Sequence, residues 1–543
     1  MNFIESKAVQ ITTLSPVQLG SGDDFYPTNY VITDDGWLHH FDELALSYAL
    51  KGNLSKLSNA LESQRGDDMI LSIQRLIREY SKDLSKLAFY SLPVSQGFLT
   101  FYKSRIGQIA QRETGNKRVV NRLQISRTFI HPHKHVPVIP GSALKGAIRT
   151  AIVNDLAQHD IAELKRLASD RQGSKKVQEK VLSYSRVNED PMKFFKVSDA
   201  EYQHSYLPTE IMFSVSRKRK PKANYEPAEG VSTYMEVISP YRFQAFTSDL
   251  RFVEAFDHKQ NTAIPTSFAE VAKVCNAYYL PKLKLELEQL SQQADYLDSN
   301  YVAAINHLIE SEWETMLKAN KIFVLRLGKF SGAQDKTLDG LKRIKILTPK
   351  DQPNEERSET TEVRLAAEID VKQKHGLLPF GWVLVQQQGV HLPKTAELLD
   401  QLAVKRSSKV FQEQAVQLKQ EKHDAQQQLE EQRAQQAQAE QAKLEKQQQE
   451  QAAKEALEAK KAQMTEEQQL IFELKLKAEQ DKTSKGAGSA LYNELRELII
   501  VAQAWSAEDK AALREEAKAI FKQLGVDPKA NKPKELLKMV PAL

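Results

Sequence analysis

The sequence predicts an α+β fold followed by a long helical segment, and two patterns along its 543 residues support this prediction. Within residues 1–390, short β-rich runs such as Ala8–Thr13 and Phe323–Leu327 alternate with helical stretches such as Ser142–Ala157. Strands mixed with helices of these lengths favour an α+β or split βαβ arrangement. From about residue 395 the composition changes to glutamine, glutamate, lysine and alanine, which are good helix formers.

The C-terminal part is predicted to be entirely helical. Residues 395–480 contain no glycine or proline and few apolar positions, which indicates a solvated helix or a weak coiled coil. After a break at 481–490, residues 488–543 regain amphipathic spacing, with Ser506 at a helix start and Gly525 at its end. We therefore predict a small helical domain at 488–543. A partner that binds the tail is the alternative to a purely structural helix.

Composition limits the classes of function. One cysteine, Cys275, excludes an intrachain disulfide and a cysteine-based zinc site. No apolar run approaches the roughly 18 residues of a membrane span, and the N-terminus lacks a signal-peptide pattern. These features predict a cytoplasmic protein that does not bind membranes. The 76 basic and 71 acidic residues give a net charge of only +5, so any polyanion site must be a local patch.

The segment HVPVIPGSALKGAIRTAI, residues 135–152, is the most informative motif. A short strand is broken by Pro140 and Gly141, and a helix follows that Ser142 is predicted to cap. Lys145 and Arg149 are four residues apart and share one helix face. A glycine-serine turn, a helix N-terminus and two cations suit phosphate, although the spacing is not that of a Walker loop. The predicted RNA-binding residues here are Gly141, Ser142, Lys145 and Arg149.

Two glycine-rich loops are further candidates. LSPVQLGSG, residues 14–22, is a strand leading into a turn, and LRLGKFSGAQDKT, residues 325–337, places lysines beside a glycine-rich loop. Backbone N–H groups and lysines in such loops suit a phosphate backbone, although each loop alone is also an ordinary turn. The predicted RNA-binding residues are Gly20, Gly22, Arg326, Gly328, Lys329, Gly332 and Lys336.

Two basic runs complete the predicted RNA contacts. They are KRVVNRLQISR at 117–127 and SRKRKPKANY at 216–225, and each is alternatively a solvated loop. The candidate residues are Arg122, Arg127, Arg217, Lys218, Arg219 and Lys220.

Catalysis is the competing hypothesis. Asp23 and Asp24 follow the first glycine loop, where aspartates are usually solvated turn residues. His131, His133 and His135 alternate, which would place them on one strand face as metal ligands or as general acids and bases. No carboxylate or cysteine partner accompanies them, so we predict neither a metal site nor a cofactor.

Four segments together resemble the RAMP proteins of CRISPR systems, and the similarity is closest to the fifth subunits of type III-A (Csm) effector complexes. These segments are LSPVQLGSGDDFYPTNYVI, VIPGSALKGAIRTAI, LRLGKFSGAQDKT and LPFGWVLV. The resemblance implies two ferredoxin-like (RRM-like) RAMP domains, at 1–205 and 206–392. Residues 395–543 have no counterpart in it.

The resemblance also implies a role. It implies an RNA-binding subunit that caps the complex near the crRNA 3′ end and supports crRNA maturation and assembly. Its partners would be crRNA, target RNA and other RAMP backbone subunits. Thr28 stands where RAMP nucleases carry a catalytic aspartate, which argues against an enzyme. A RAMP-type RNA endonuclease using Asp23, Asp24 or His133 is the alternative.

Overall fold

The computed structural model describes residues 4–542 except 51–52, 63–66, 113–117, 121–122, 171, 205–207, 222–232, 254–263, 347–354, 407–408 and 482. The chain forms two compact units, one ending at Leu429 and the other beginning at Glu430. The first unit is a mixed α+β structure with several sheets, as the sequence predicts.

The strands of the first unit are short, apart from three of ten residues or more. Numbered in chain order, they are β1 (Ile4–Thr13), β2 (Gly20–Phe25), β3 (Tyr30–Ile32), β4 (Trp37–His40), β5 (Tyr90–Pro93), β6 (Ile109–Arg112), β7 (Arg118–Val120), β8 (Ile125–Thr128), β9 (Val138–Ile139), β10 (Phe195–Val197), β11 (Ala200–Tyr202), β12 (Thr209–Lys218), β13 (Thr233–Ile238), β14 (Arg242–Val253), β15 (Ile322–Arg326), β16 (Ile344–Ile346), β17 (Glu355–Arg357), β18 (Glu362–Ala367), β19 (Leu378–Pro379) and β20 (Trp382–Gln387).

Helices connect and cover these strands, and the described elements after β20 are all helical. They are α1 (Glu43–Ala49), α2 (Leu54–Glu62), α3 (Asp67–Glu79), α4 (Ser81–Leu87), α5 (Gln96–Arg105), α6 (Gly141–Ala157), α7 (Ile161–Ala168), α8 (Gly173–Val181), α9 (Phe268–Glu288), α10 (Ser299–Glu310), α11 (Glu312–Lys318), α12 (Pro393–Arg406), α13 (Lys409–Ala462), α14 (Glu466–Gln480), α15 (Ala490–Val501), α16 (Ala507–Leu524) and α17 (Asn531–Met539).

Two large sheets organise the first unit. One has the order β15-β20-β1-β14-β11-β9, with β10 also paired to β14, and the other has the order β19-β18-β12-β13-β8-β2. In the first sheet, β1 lies between β14 and β20, so the buried Ile11 is opposite both Phe246 and Val385. Each large sheet contains strands from both sides of residue 205. The division into regions 1–205 and 206–392 stays a prediction.

Helix α6 packs on α9 and on the first sheet through apolar residues at helical spacing. Leu144, Ile148 and Ile152 are buried in the core of the unit. The hydroxyl of Tyr279 on α9 donates to the carbonyl of Ala147 at 3.0 Å, which fixes the two helices together. The opposite, small-residue face of α6 is therefore left facing outward.

The second unit has its own apolar core, to which α14, α15, α16 and α17 all contribute. Ser506 accepts a hydrogen bond from the N–H of Asp509, and Gly525 ends α16 with a φ of 69°. Both predicted helix boundaries are confirmed. Along the described residues, no helix is both long enough and apolar enough to span a bilayer.

Candidate nucleic-acid interface

A cleft of about 540 Å³ lies where three glycine-containing segments of the first unit meet. They are the turn before β2, the start of α6 and the loop after β15. We call it the glycine cleft, and it is lined by Leu19, Gly20, Pro140, Ser142, Ala143, Gly146, Ala147, Thr150, Tyr279, Arg326, Leu327, Gly328, Lys329 and Lys336.

The loop after β15 reaches the turn before β2 because of a glycine. Gly328 has a φ of +76°, and a Cβ there would lie 2.2 Å from the carbonyl oxygen of Gln18. Only glycine adopts this conformation at such a close approach without strain. The next residue, Lys329, donates its N–H to the same carbonyl at 2.8 Å. Two segments that are more than 300 residues apart thus form one wall of the cleft.

The start of α6 is held against the turn between β10 and β11. A Cβ on Gly141 would lie 2.4 Å from the carbonyl oxygen of Val197, so this position requires glycine. The N–H of Gly141 donates to Oδ1 of Asp199 at 2.6 Å. The helix begins at Gly141, and Ser142 lies in its first turn instead of capping it. The predicted cap is wrong because the Asp199 carboxylate takes that role.

Gly146 differs from Gly141 and Gly328 because no described residue packs closely enough on it to require glycine. It is exposed in the middle of α6, and a Cβ there would have no atom within 4 Å. Glycine in a helix costs about 0.5–1 kcal/mol relative to alanine. A bare helix surface at the floor of a cleft allows close approach by something from outside the chain.

Lys329 and Lys336 supply exposed positive charge at this cleft. Nζ of Lys336 donates to the carbonyl of Gly328 at 2.8 Å, which holds the amine at the cleft wall. Partial desolvation, and then the neighbouring charge of Arg326, lower the pKa of Lys336 from its usual value. A bound anion would oppose this lowering of the pKa, because its charge favours the protonated amine.

Lys145 and Arg149 point away from the cleft, contrary to their predicted role as its cations. Nζ of Lys145 donates to the carbonyl of Met192 at 2.8 Å. The Arg149 guanidinium pairs with Asp190 at 2.7 Å and with Gln178 at 3.1 Å. The pair does share one helix face, but that face packs on the segment before β10.

Arg326 is buried in an ion-pair network beneath the cleft. Its guanidinium contacts Glu286 at 2.9 Å and also Asp335, and its side chain is 2% exposed. Burial opposes the charge, yet the carboxylates of Glu286 and Asp335 raise the pKa of the guanidinium. Because these protein partners occupy the guanidinium, we assign Arg326 a structural role in place of the predicted RNA contact.

In the basic run at 216–225, two of the four described cations point inward. Arg217 is 1% exposed and donates to backbone carbonyls that include Val371 at 3.1 Å, and Arg219 bonds to Thr360 at 3.1 Å. Lys218 pairs with Glu362 at 2.5 Å on the surface, and Lys220 is exposed. Since side chains alternate along a strand, a run of consecutive cations on β12 cannot form a single surface.

The run at 117–127 contributes no described cation to the cleft. The side chain of Arg127 lies over the ring of Phe25 at 4.5 Å, and Nε is 3.7 Å from the buried carboxylate of Glu236. Burial raises the pKa of Glu236, and Arg127 and the hydroxyl of Tyr90 oppose that effect. Arg127 therefore has a structural role, and Arg122 lies outside the described residues.

Sequence reasoning predicted Ser142 but missed the other residues of the cleft floor. Ser142, Ala143, Gly146, Ala147 and Thr150 recur at helical spacing, and all line it. The helical spacing of these small residues is visible in the sequence, but the prediction relied on the two cations that precede Gly146 and Thr150.

Comparison with known protein families identifies the N-terminal part of the chain. Residues 10–267 match the model of the RAMP superfamily. This region of the chain, residues 10–267, belongs to the RAMP superfamily. The matched RAMP residues include the first two segments of the cleft. No curated protein matches the chain.

Two solved structures are similar to this RAMP chain. One is the crystal structure of Csm5 from T. onnurineus, with 18% identity, a TM-score of 0.40 and coverage of 69% of this chain and 99% of that chain. The other is a chain in the cryo-EM structure of a Csm–crRNA–target RNA ternary complex of a type III-A CRISPR-Cas system. It has 17% identity, a TM-score of 0.39 and coverage of 70% of this chain and 100% of that chain.

The residues of the nuclease alternative do not line the glycine cleft. Asp23 is largely exposed on β2 and lies 3.9 Å from Arg127, and Asp24 accepts from Gln124 at 2.5 Å. The three histidines lie in the turn between β8 and β9, so their predicted common strand face is wrong. Nδ1 of His131 instead accepts the N–H of His133 at 3.2 Å. Within the described part of the chain, no three His, Cys, Asp or Glu side chains are grouped to hold a metal ion.

Replacement by alanine is expected to change the free energy of unfolding in opposite directions at two glycines of α6. Gly146→Ala is expected to raise the free energy of unfolding by about 0.5–1 kcal/mol, since it removes the helix penalty of glycine. Gly141→Ala is expected to lower it by about 1–3 kcal/mol, because its methyl group would overlap the Val197 carbonyl. Urea denaturation of both variants measures the difference. Equal destabilisation by the two would contradict the assignment of Gly146 to the cleft floor.

Proposed function

We propose that this RAMP chain is an RNA-binding subunit of a type III CRISPR effector complex, and that its glycine cleft holds the phosphate backbone of crRNA. The observation that carries the proposal is the convergence of three glycine-containing segments and two exposed lysines on one cleft. RAMP membership connects that cleft to CRISPR ribonucleoproteins.

The chemistry of the cleft suits a backbone more than a base sequence. Its polar side chains include the serine and threonine hydroxyls of α6 and the amines of Lys329 and Lys336, whereas those of Tyr279 and Arg326 are bonded to protein partners. The Asp199 carboxylate accepts the N–H of Gly141 at the start of α6, whereas along the described residues the N–H of Ser142 beside it has no partner and can donate to a phosphate oxygen. Such contacts position a nucleic acid without reading its sequence, as guides with variable spacers require.

The finer parts of the proposal follow from the resemblance of the four motifs. We propose that the chain caps the complex near the crRNA 3′ end and supports crRNA maturation and assembly with other RAMP backbone subunits and target RNA. We also propose that its two sheets belong to two ferredoxin-like domains. The tail from residue 395 is proposed to serve a further partner.

Copurification tests the proposal. The full chain would be expressed with type III RAMP subunits and a CRISPR array, purified through a tag on this chain, and the bound RNA sequenced. The expected result is recovery of crRNA with the other subunits. Recovery of the chain with its partners but without crRNA would contradict RNA binding. The capping role would be contradicted if a complex formed without this chain yielded the same amount of crRNA with the same 3′ ends.

The same preparation tests the nuclease alternative. Labelled target RNA and precursor crRNA are expected to remain intact when incubated with the purified chain. Cleavage that Asp24→Ala or His133→Ala abolishes would replace the binding role with a catalytic one.

A further inference from the structure

A second cavity of about 320 Å³ adjoins the glycine cleft. We call it the side pocket. Thr150 and Lys336 line both cavities, so the two are neighbours at these residues. The remaining lining residues are Arg149, Val153, Ala168, Ser174, Val177, Gln178, Thr337, Leu338, Leu341 and Arg343.

The floor of the side pocket is apolar. Val153 and Val177 are buried at 2% and 3% exposure, and Leu338 and Leu341 pack beside Val177. Its volume falls within the range of about 300–1,000 Å³ that is usual for small-molecule sites. The pocket therefore offers space and apolar surface for a flat organic ring.

The charged residues that line this pocket all have one sign, although two of them are paired with carboxylates outside the lining. The charged residues that line the pocket in the described part of the chain are Arg149, Lys336 and Arg343, and each is a cation. Arg149 and Arg343 are held in place by Asp190 and Glu356, at 2.7 Å and 2.8 Å. An apolar floor surrounded by cations is complementary to a nucleotide, which joins an apolar ring to an anionic phosphate.

We propose that the side pocket receives the base of an unpaired nucleotide whose phosphate lies in the glycine cleft. This inference rests on the proposed function and adds a base-binding subsite to it. Single-stranded RNA presents unstacked bases that proteins take up individually. Because the floor is mainly apolar, the site recognises the presence of a base more than its identity.

A strand without bases can make the phosphate contacts of the cleft but cannot fill the side pocket, so its affinity distinguishes the two sites. The full chain would be titrated with a labelled single-stranded RNA and with an abasic ribose-phosphate strand of equal length, at one salt concentration. The native chain is expected to bind the base-bearing strand about tenfold more tightly, the scale of one buried base. Ala168→Phe, which fills the pocket from the end of α7, should remove that difference and leave the affinity for the abasic strand unchanged.

Two further variants complete the test. Ala162→Phe adds the same ring at an exposed position of α7 and should retain the tenfold difference. Ser174→Trp blocks the pocket from its exposed rim, so it gives the same test if Ala168→Phe fails to fold. Its expected result is again equal affinity for the two strands.

The outcomes distinguish the two proposals. Salt-dependent binding of both strands with equal affinity by the native chain would overturn the side-pocket inference and leave the phosphate cleft standing. A base preference that survives both pocket variants would also overturn it, because the base would then bind elsewhere. Failure of the native chain to bind either strand would overturn the proposed function, and the subsite with it.

Discussion

Replacing Lys329 and Lys336 together by alanine is expected to weaken RNA binding by about ten- to a hundred-fold near physiological salt. Both amines line the glycine cleft, and each would release a counterion when it contacts a phosphate. The slope of log affinity against log salt should therefore fall by about 1.4 for two contacts with a single strand. Fluorescence anisotropy across a salt series measures both quantities.

A matched variant removes the same charge elsewhere. Lys273 and Lys284 are exposed on α9 and do not line the cleft. Replacing both by alanine is expected to leave the salt slope nearly unchanged, since the net charge falls but no phosphate contact is lost. Equal effects of the two double variants would show that the lysines act through the general field of the protein, which contradicts specific contacts in the cleft.

Arg326→Met is expected to lower the free energy of unfolding of the first unit by about 3–5 kcal/mol. The substitution leaves the buried carboxylates of Glu286 and Asp335 without their cation, and an unpaired buried charge is strongly destabilising. Urea denaturation followed by circular dichroism measures the loss in the transition of this unit.

An exposed arginine provides the comparison. Arg251 pairs with Asp249 at 3.4 Å on the surface, with half of its side chain exposed. Exposed pairs contribute about 0–1 kcal/mol, so Arg251→Met should change stability little. A stable Arg326→Met protein that had lost RNA binding would contradict the structural role and restore the predicted RNA contact.

The individual motifs that form the cleft were predictable, and so were the helix boundaries in the tail, but the sequence did not predict that these motifs meet. The glycines before β2, at the start of α6 and after β15 were all recognisable in the sequence, and the phosphate hypothesis identified the segments that form the cleft. Ser506 and Gly525 act through local backbone rules, since a cap and a left-handed stop depend on neighbouring residues. Such features need no knowledge of the tertiary fold.

The sequence did not predict where individual cationic side chains point. Spacing places Lys145 and Arg149 on one face of α6, but which face meets the cleft depends on the packing of α9 and the segment before β10. Likewise, Arg326 lies beside a glycine loop in sequence, whereas its partner Glu286 comes from α9. Long-range pairing of this kind is set by the assembled core, which the local sequence does not reveal.

The most direct test of the glycine cleft as the RNA-binding site is photochemical crosslinking of bound single-stranded RNA to the full chain. Mass spectrometry then identifies the linked peptides. If RNA binds in the glycine cleft, we expect crosslinks in the peptides that contain Ser142–Thr150 and Gly328–Lys336. Efficient crosslinking confined to other segments, such as the surface cations at Lys218–Lys220, would contradict the glycine cleft as the site of RNA binding.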